Sequence, residues 1–241
     1  MTREVRNEIM SVQIKVYSSN SMHGVLDELA PAFERVSGNK LSVSYDLPQV
    51  MLKRIEDGQP VDLVIMAKSA IDALEKQAKI VAGSPRILAR FGIGICVRSG
   101  TPKPDIGSVE LLKRALLNAR SIAHTSEGAS GVHFSSVVER LGIADQVRAK
   151  AVTRPGGLIA ELVVSGEAEM AVQQMPELLS VPGIELVGPL PQEFQVTTTS
   201  AAAIAARAKQ PEAARALMEF LLAPASAPVF RAKGLEPAGG N

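Results

Sequence analysis

Two polar segments of the chain have the residue types needed to hold an anion. Residues 18–24 read SSNSMHG and residues 125–133 read TSEGASGVH, and each segment follows a short apolar stretch. A loop of hydroxyls and glycines that opens a helix offers free backbone N–H groups, short hydroxyl donors and the positive end of the helix dipole. Such a loop binds an anion without a lysine or arginine. Two of them, far apart in the sequence, predict a cleft between two lobes.

A third polar segment adds a charged donor. Arg154 precedes Pro155 and two glycines at another predicted helix start, and its guanidinium could hold a carboxylate through two parallel hydrogen bonds. The residues alone therefore predict an anion site made of Ser19, Asn20, Ser21, Thr125, Ser126, Ser130, Gly131 and Arg154. Ordinary turn, N-cap and surface roles stay open for all of them.

Strands and helices alternate along the chain, which predicts an α/β protein with mostly parallel sheets. The predicted strands are residues 12–17, 40–45, 61–66, 90–98, 121–124, 149–153, 170–173 and 196–205. Predicted helices follow the first two strands and cover residues 109–118, 132–141, 158–165, 211–222 and 225–233. The helical spacing of Val25, Leu26, Leu29 and Phe33 marks the buried face of the first helix.

Composition excludes several classes of function. The chain of 241 residues is 46% apolar, with a formal charge of +1 and only 3% aromatic residues, so it offers neither a basic surface for nucleic acid nor a stacking platform for bases. The single cysteine, Cys96, lies in an apolar run and is expected to be buried and inert. Three scattered histidines lack metal-ligand spacing, so no metal and no cofactor are predicted.

The N-terminal residues show neither a signal-peptide core nor a membrane span, and no span is predicted elsewhere. The sequence as written therefore predicts a cytoplasmic protein, or a periplasmic one from which an export signal has been removed. Residues 1–11 are expected to be a disordered extension.

Seven short motifs, each weak alone, together indicate a protein family through their order and spacing. The motifs are VYSSNSM (16–22), QPVDLVI (59–65), RLGIAD (140–145), SGEAE (165–169), VGPLP (187–191), PEAARAL (211–217) and GLEP (234–237). In these, the chain resembles the periplasmic molybdate-binding proteins of ABC importers, which have the type 2 periplasmic-binding-protein fold. The resemblance extends over essentially the whole chain from Val12 onward.

This resemblance implies two α/β lobes joined by two crossing strands, with the ligand in the cleft between them. Residues 12–89 and 198–241 would form lobe 1, and residues 90–197 lobe 2. It implies a monomer that binds a small anionic ligand and passes it to an ABC transporter permease. It also places Ser21 on a binding serine of the family, and Gln174 where the family has a binding tyrosine.

The second binding loop departs from the family pattern. Where the family has adjacent serines and a glycine, this chain has Leu47, Pro48 and Gln49, and proline has no N–H to donate. An organic carboxylate is therefore predicted in preference to a molybdate-type oxyanion.

An enzyme is the alternative, because the resembled family includes enzymes that isomerise aconitate, a small unsaturated tricarboxylate. That reaction needs a group that removes and returns an allylic proton. The candidates in this sequence are His23, His133, Glu127 and Tyr45, together with Asp46.

Overall fold

The computed structural model describes residues 11–238, which form two β-sheets. Their strands are β1 (Gln13–Ser18), β2 (Lys40–Tyr45), β3 (Leu63–Ala67), β4 (Arg86–Phe91), β5 (Ile93–Arg98), β6 (Ile122–Thr125), β7 (Ala151–Arg154), β8 (Met170–Gln174), β9 (Ile184–Pro189), β10 (Thr198–Ile204) and β11 (Glu236–Pro237). One sheet has the order β11-β4-β10-β3-β1-β2 and the other β7-β6-β8-β5-β9. The predicted N-terminal extension, except for Ser11, lies outside the described residues.

Helices cover both faces of each sheet. They are α1 (His23–Ser37), α2 (Pro48–Glu56), α3 (Lys68–Lys76), α4 (Val109–Asn118), α5 (Ala129–Arg140), α6 (Ala144–Arg148), α7 (Ala160–Ser165), α8 (Met175–Leu179), α9 (Pro211–Leu222) and α10 (Ala227–Ala232). Helices α1, α9 and α10 pack on one face of the first sheet, while α2 and α3 contribute to the apolar cluster on the other. This double coverage explains why β3 is almost entirely apolar.

Within each sheet, three neighbouring strands run parallel. These are β2, β1 and β3 in the first sheet and β7, β6 and β8 in the second. The remaining strands pair antiparallel, so both sheets are mixed. The sequence correctly predicts this α/β architecture, because parallel strands joined through helices produce the alternating pattern. Cys96 is buried as predicted, and burial raises the pKa of its thiol to about 12.

The predicted strand at residues 90–98 is wrong as a single strand. Gly92 separates β4, which belongs to the first sheet, from β5, which belongs to the second. The chain returns through Gln195, whose side-chain amide accepts a hydrogen bond from Ile93 N–H (2.8 Å) and donates one to Ile93 O (2.9 Å). A Cβ atom on Gly92 would lie 2.8 Å from that amide group. The two crossing segments are therefore held against each other by this pairing, and a side chain at residue 92 would displace the Gln195 amide group.

None of the individual helices among residues 11–238 has the length and hydropathy of a membrane span. Residues Pro211–Leu222 and Pro224–Ala232 reach that length and hydropathy only as a pair bent by 60°.

Asp62 joins the C-terminal part of the chain to the first sheet. Its buried carboxylate accepts hydrogen bonds from the backbone N–H groups of Lys15 (2.8 Å), Lys209 (2.7 Å) and Gln210 (2.9 Å). Gln210 directly precedes α9, so one side chain positions both β1 and the start of that helix.

We expect Asp62→Ala to lower the free energy of unfolding by at least about 2 kcal/mol, because it leaves buried N–H groups without an acceptor. Urea denaturation monitored by circular dichroism measures this loss. Asp57→Ala is the control, since Asp57 makes only an exposed ion pair with Lys53 and should change stability by less than about 0.5 kcal/mol. Equal effects of the two variants would contradict the role given to Asp62.

Candidate functional site

The loops that follow the parallel strands of both sheets enclose one cavity of about 550 Å³, which we call the intersheet cavity. Ligand sites of open α/β sheets lie outside the carboxyl ends of the strands, and here two such ends face each other. Its lining residues are Ser19, Asn20, Ser21, Asp46, Leu47, Pro48, Ala67, Lys68, Ser69, Asp72, Phe91, Thr125, Gly128, Ala129, Ser130, Gly156, Gly157, Gln173, Gln174, Glu177, Thr197, Thr198 and Thr199.

The loop after β1 presents a pair of hydroxyl groups. The Oγ atoms of Ser19 and Ser21 lie 2.9 Å apart, and Ser21 is almost fully buried. Because only one hydroxyl of the pair donates to the other, the second keeps its hydrogen for a ligand. The short 3₁₀ turn at residues 20–22 makes its first bond from Met22 N–H to Ser19 O (3.1 Å). The amides of Asn20 and Ser21 precede that bond and add donors at the helix start.

The loop after β6 is built in the same way. Thr125 and Ser130 are both 2% exposed, and α5 begins at Ala129. The first backbone bonds of this helix run from Gly131 and Val132 N–H to Gly128 O, both at 3.0 Å. The N–H groups of Ala129 and Ser130 precede those bonds and lie at the cavity wall.

The end of β8 supplies amides and a carboxyl group. The buried Gln173 side chain accepts a hydrogen bond from Ile159 N–H (3.0 Å) and donates one to Gly157 O (2.7 Å), which fixes the loop after β7. Gln174 and Glu177 follow it along the cavity wall. Burial raises the pKa of Glu177 to about 8, although a hydrogen bond with Gln173 acts in the opposite direction.

Two of the other charged groups at the cavity are carboxylates with cationic partners. Asp46 accepts a hydrogen bond from Arg54 (2.8 Å), and Asp72 pairs with Lys68 (2.7 Å) on the first turns of α3. Leu47 and Pro48 form an apolar part of the wall, where proline contributes no donor. The cavity therefore combines many neutral donors with very little free positive charge.

The structure brings together Ser19, Asn20, Ser21, Thr125, Ser130 and Gln174 from the predicted ligand set. It places Ser126, Gly131 and Arg154 outside the cavity lining. The Ser126 N–H donates to Arg154 O (2.8 Å), and the Arg154 guanidinium pairs with Glu161 (3.3 Å) and Glu167 (3.9 Å). Gly131 packs against Thr125, so it supports the loop without contacting the cavity.

The four residues predicted for proton transfer also lie outside the lining. His23 Nδ1 is 3.0 Å from Asp27 Oδ2, and the Tyr45 hydroxyl donates to Asp27 Oδ1 (3.2 Å). Burial and the nearby Asp27 carboxylate raise the pKa of Tyr45. His133 Nε2 donates to Phe194 O (2.7 Å), and Glu127 is exposed at the surface. Asp46 alone among the named candidates lines the cavity.

Sequence reasoning missed Lys68, the threonines at residues 197–199 and Glu177. Lys68 directly follows a buried strand, so the strand-end rule that identified Ser19 could have found it. The sequence predicts a crossing strand over the threonines without a ligand role, and it predicts no helix at Met175–Leu179. Among residues 11–238, no cluster of three or more His, Cys, Asp or Glu side chains has a metal-binding arrangement.

A larger groove of about 880 Å³ lies on the second sheet, with Arg98, Lys103 and Arg120 at its edge. Three of the four cationic side chains that line this groove have partners: Arg98 donates to Val163 O, while Lys103 and Arg120 pair with Glu185 and Glu169. Neither anion-binding loop reaches this groove. The intersheet cavity is therefore the candidate site.

Comparison with known proteins gives consistent matches over nearly the whole chain. A family model described as bacterial extracellular solute-binding protein matches residues 14–236. An aconitate isomerase of a Pseudomonas species is 35% identical over 230 residues, which cover 93% of this chain and 87% of that protein. The molybdate-binding protein ModA of Azotobacter vinelandii is 24% identical, with 93% and 90% covered. The structure of the periplasmic molybdate-binding protein of Azotobacter vinelandii superposes with a TM-score of 0.77 at 19% identity, covering 92% of this chain and 98% of that one.

We expect Gly131→Ala to damage the loop after β6, because the added Cβ atom would lie 1.8 Å from the Thr125 carbonyl oxygen. Overpacking of this kind costs about 1–3 kcal/mol or more, so thermal denaturation should show a lower Tm. Gly107→Ala serves as the control, since its Cβ atom would meet only the Asp105 carboxylate at 3.3 Å. An unchanged Tm for Gly131→Ala would show that α5 does not pack on Thr125 as described.

Proposed function

Because the chain belongs to the bacterial extracellular solute-binding protein family and has the type 2 periplasmic-binding-protein fold, we propose that its intersheet cavity binds a small organic carboxylate. One observation carries this proposal. Ser21 and Ser130 are buried hydroxyls at helix starts of different sheets, and they line the same cavity. An anion between them receives hydroxyl and amide hydrogens from both sides. The two sheets would then act as lobes that close on the ligand, since only the closed form makes both sets of contacts.

Three features favour a carboxylate over a bare metal oxyanion. The cavity volume of about 550 Å³ lies in the range of sites for small organic molecules. The Leu47–Pro48 wall offers apolar surface where a symmetric oxyanion would need another donor. Amide and hydroxyl groups are spread along the wall from Ser21 to Gln174 and the threonines at residues 197–199, which suits several separate carboxylates.

A receptor of this kind would act outside the cytoplasm, in line with the description of its family as extracellular, and would deliver its ligand to an ABC transporter permease. Whether the protein acts in this way depends on the fate of the bound ligand.

Isomerisation of an unsaturated polycarboxylate is the second candidate function, and the 35% identity to an aconitate isomerase favours it. Moving an allylic proton requires a titratable group in contact with the substrate. Asp46, Lys68, Asp72 and Glu177 line the cavity and can meet that requirement. The histidines singled out from the sequence do not.

We expect Ser21→Ala and Ser130→Ala each to weaken polycarboxylate binding by at least about tenfold, because a hydrogen bond to a charged group contributes about 1.5–3 kcal/mol. Isothermal titration with cis-aconitate, trans-aconitate and citrate measures the affinities. Ser136→Ala, at an exposed position of α5, is the matched control and should bind like the wild type. Unchanged affinity in both cavity variants would place the ligand elsewhere.

Incubation with cis- or trans-aconitate separates the two candidate functions. A receptor raises its Tm with these ligands by mass action and returns them unchanged. An isomerase converts one into the other, which chromatography or proton NMR detects, and exchanges the allylic hydrogen with deuterated water. Molybdate is the comparison ligand, and a larger Tm increase with molybdate than with any polycarboxylate would contradict the proposed ligand class.

A further inference from the structure

We propose that Glu177 takes part in ligand binding as a neutral acid, donating a hydrogen bond from its carboxyl group to a carboxylate of the bound ligand. Binding then requires one proton on the protein. This inference rests on the proposed function, because it supposes that the cavity holds a carboxylate. The proposed function does not include Glu177. This inference adds Glu177 as the residue that makes ligand binding selective for carboxylates and dependent on pH.

The position of α8 brings Glu177 to the ligand. This helix packs on β5 and β9 of its own sheet and also on the turn at residues 20–22 of the first sheet. The Ser180 hydroxyl, which follows α8, accepts a hydrogen bond from Gly24 N–H (3.1 Å) at the start of α1. Glu177 therefore stands on a helix anchored to both sheets, and it lines the same cavity as Ser21.

The charges around the cavity explain why this carboxyl group must be neutral. Asp46 and Asp72 each have a cation within 2.8 Å, whereas Glu177 has no cationic partner among the described residues. An ionised Glu177 would repel an anionic ligand in a confined space of low dielectric. A protonated carboxyl group reverses the effect, since its O–H is a donor that a ligand carboxylate accepts.

The elements packed around Glu177 offer no free cation, among the described residues, that would neutralise its ionised carboxylate. The titratable and charged groups of the packed strands and of the first turns of α1 have other neighbours: Arg98 donates to Val163 O, Glu185 pairs with Lys103, His23 Nδ1 lies 3.0 Å from Asp27, and Glu28 pairs with Lys233. Further along α1, Glu34 pairs with Lys40, and Arg35 lies in the last turn. Within the cavity, Lys68 is engaged by Asp72.

The direction of the pH effect follows from the raised pKa. With a pKa of about 8, set mainly by burial, Glu177 is mostly protonated at neutral pH and ionised above pH 8. A bound carboxylate raises the pKa further, because a nearby negative charge favours the neutral form. Ligand affinity should therefore be constant near pH 7 and fall by up to about tenfold per pH unit above 8.

The test is isothermal titration of the wild type, Glu177→Gln and Glu177→Leu with tricarballylate between pH 7.0 and 9.5. This saturated tricarboxylate cannot undergo allylic isomerisation, and carboxyl groups with ordinary pKa values are ionised throughout the range. We expect wild-type affinity to fall about sevenfold between pH 8.3 and 9.3, with uptake of a proton seen as a dependence on buffer ionisation enthalpy.

Glu177→Gln keeps an N–H donor at the same place, so it should bind within about threefold of the wild type at pH 7 and lose the pH dependence attributed to Glu177. Glu177→Leu, which has no donor, should bind at least tenfold more weakly at pH 7. Glu219→Gln, at an exposed position of α9, is the control and should follow the wild-type profile.

Three results would overturn the inference while leaving the proposed function in place. They are a flat wild-type profile, an unchanged slope in Glu177→Gln, and a loss of binding in Glu177→Gln as large as in Glu177→Leu. Failure of tricarballylate, cis-aconitate and citrate to bind at any pH would instead reject the proposed function, and this inference with it.

The ligand-free protein provides a second measurement that also confirms folding of the variants. Folding raises the pKa of the Glu177 carboxyl group from 4.5 to about 8. The folded state therefore becomes progressively less stable as the pH rises between those two values. Glu177→Gln should therefore have a higher Tm than the wild type at pH 8.5 and a similar Tm at pH 4.5. Equal Tm values at both pH values would show that Glu177 is not held in its neutral form.

Discussion

An anion can be held away from bulk water without a paired cation only if enough hydrogen-bond donors converge on it. The two sheets of this protein meet that constraint through their shared geometry. Parallel strands end on the same side of a sheet, and the helices that follow them begin there with unpaired N–H groups. Because two such edges face each other across one cavity, the donors of Ser21 and Ser130 come from opposite sides. A ligand between them would link the two sheets, so anion binding and the proposed closure of the lobes would depend on the same contacts.

The sequence predicts much of this arrangement because its determinants are local. A buried strand followed by serines, glycines and a helix start can be recognised without tertiary information, and Ser19, Ser21, Thr125 and Ser130 line the cavity as that pattern indicates. The direction in which the Arg154 side chain points could not be predicted in the same way. Its guanidinium is directed by Glu161 and Glu167, which lie on a neighbouring helix and turn, and nothing in its own loop reveals that pairing. His133 is likewise turned toward Phe194 O by a contact between residues distant in sequence.

The crossing between the sheets shows a second limit of sequence reasoning. Alternation of apolar residues continues through Gly92, so residues 90–98 have the pattern of one strand. At the change of sheet, Gln195 pairs with Ile93 through both its amide atoms, and a Cβ atom at residue 92 would displace that amide group. Gln195 lies about a hundred residues further along the chain, and the periodicity of apolar residues cannot reveal a contact over that distance.

Glu177 was missed for a related reason, and its place in the cavity bears on both candidate functions. A receptor and an isomerase face the same first problem, which is to hold several negative charges close together. Neutral donors solve it for a receptor, since their attraction acts at contact and allows the ligand to leave. An isomerase must in addition hold a proton near the carbon skeleton. A cavity acid that is mostly neutral near pH 7, as we propose for Glu177, would hold such a proton while it binds a carboxylate, so a cavity that recognises its ligand through neutral donors would also contain a group for proton transfer. The proposed role of Glu177 therefore applies to either function of a chain that has the fold of molybdate-binding proteins and is 35% identical to an aconitate isomerase.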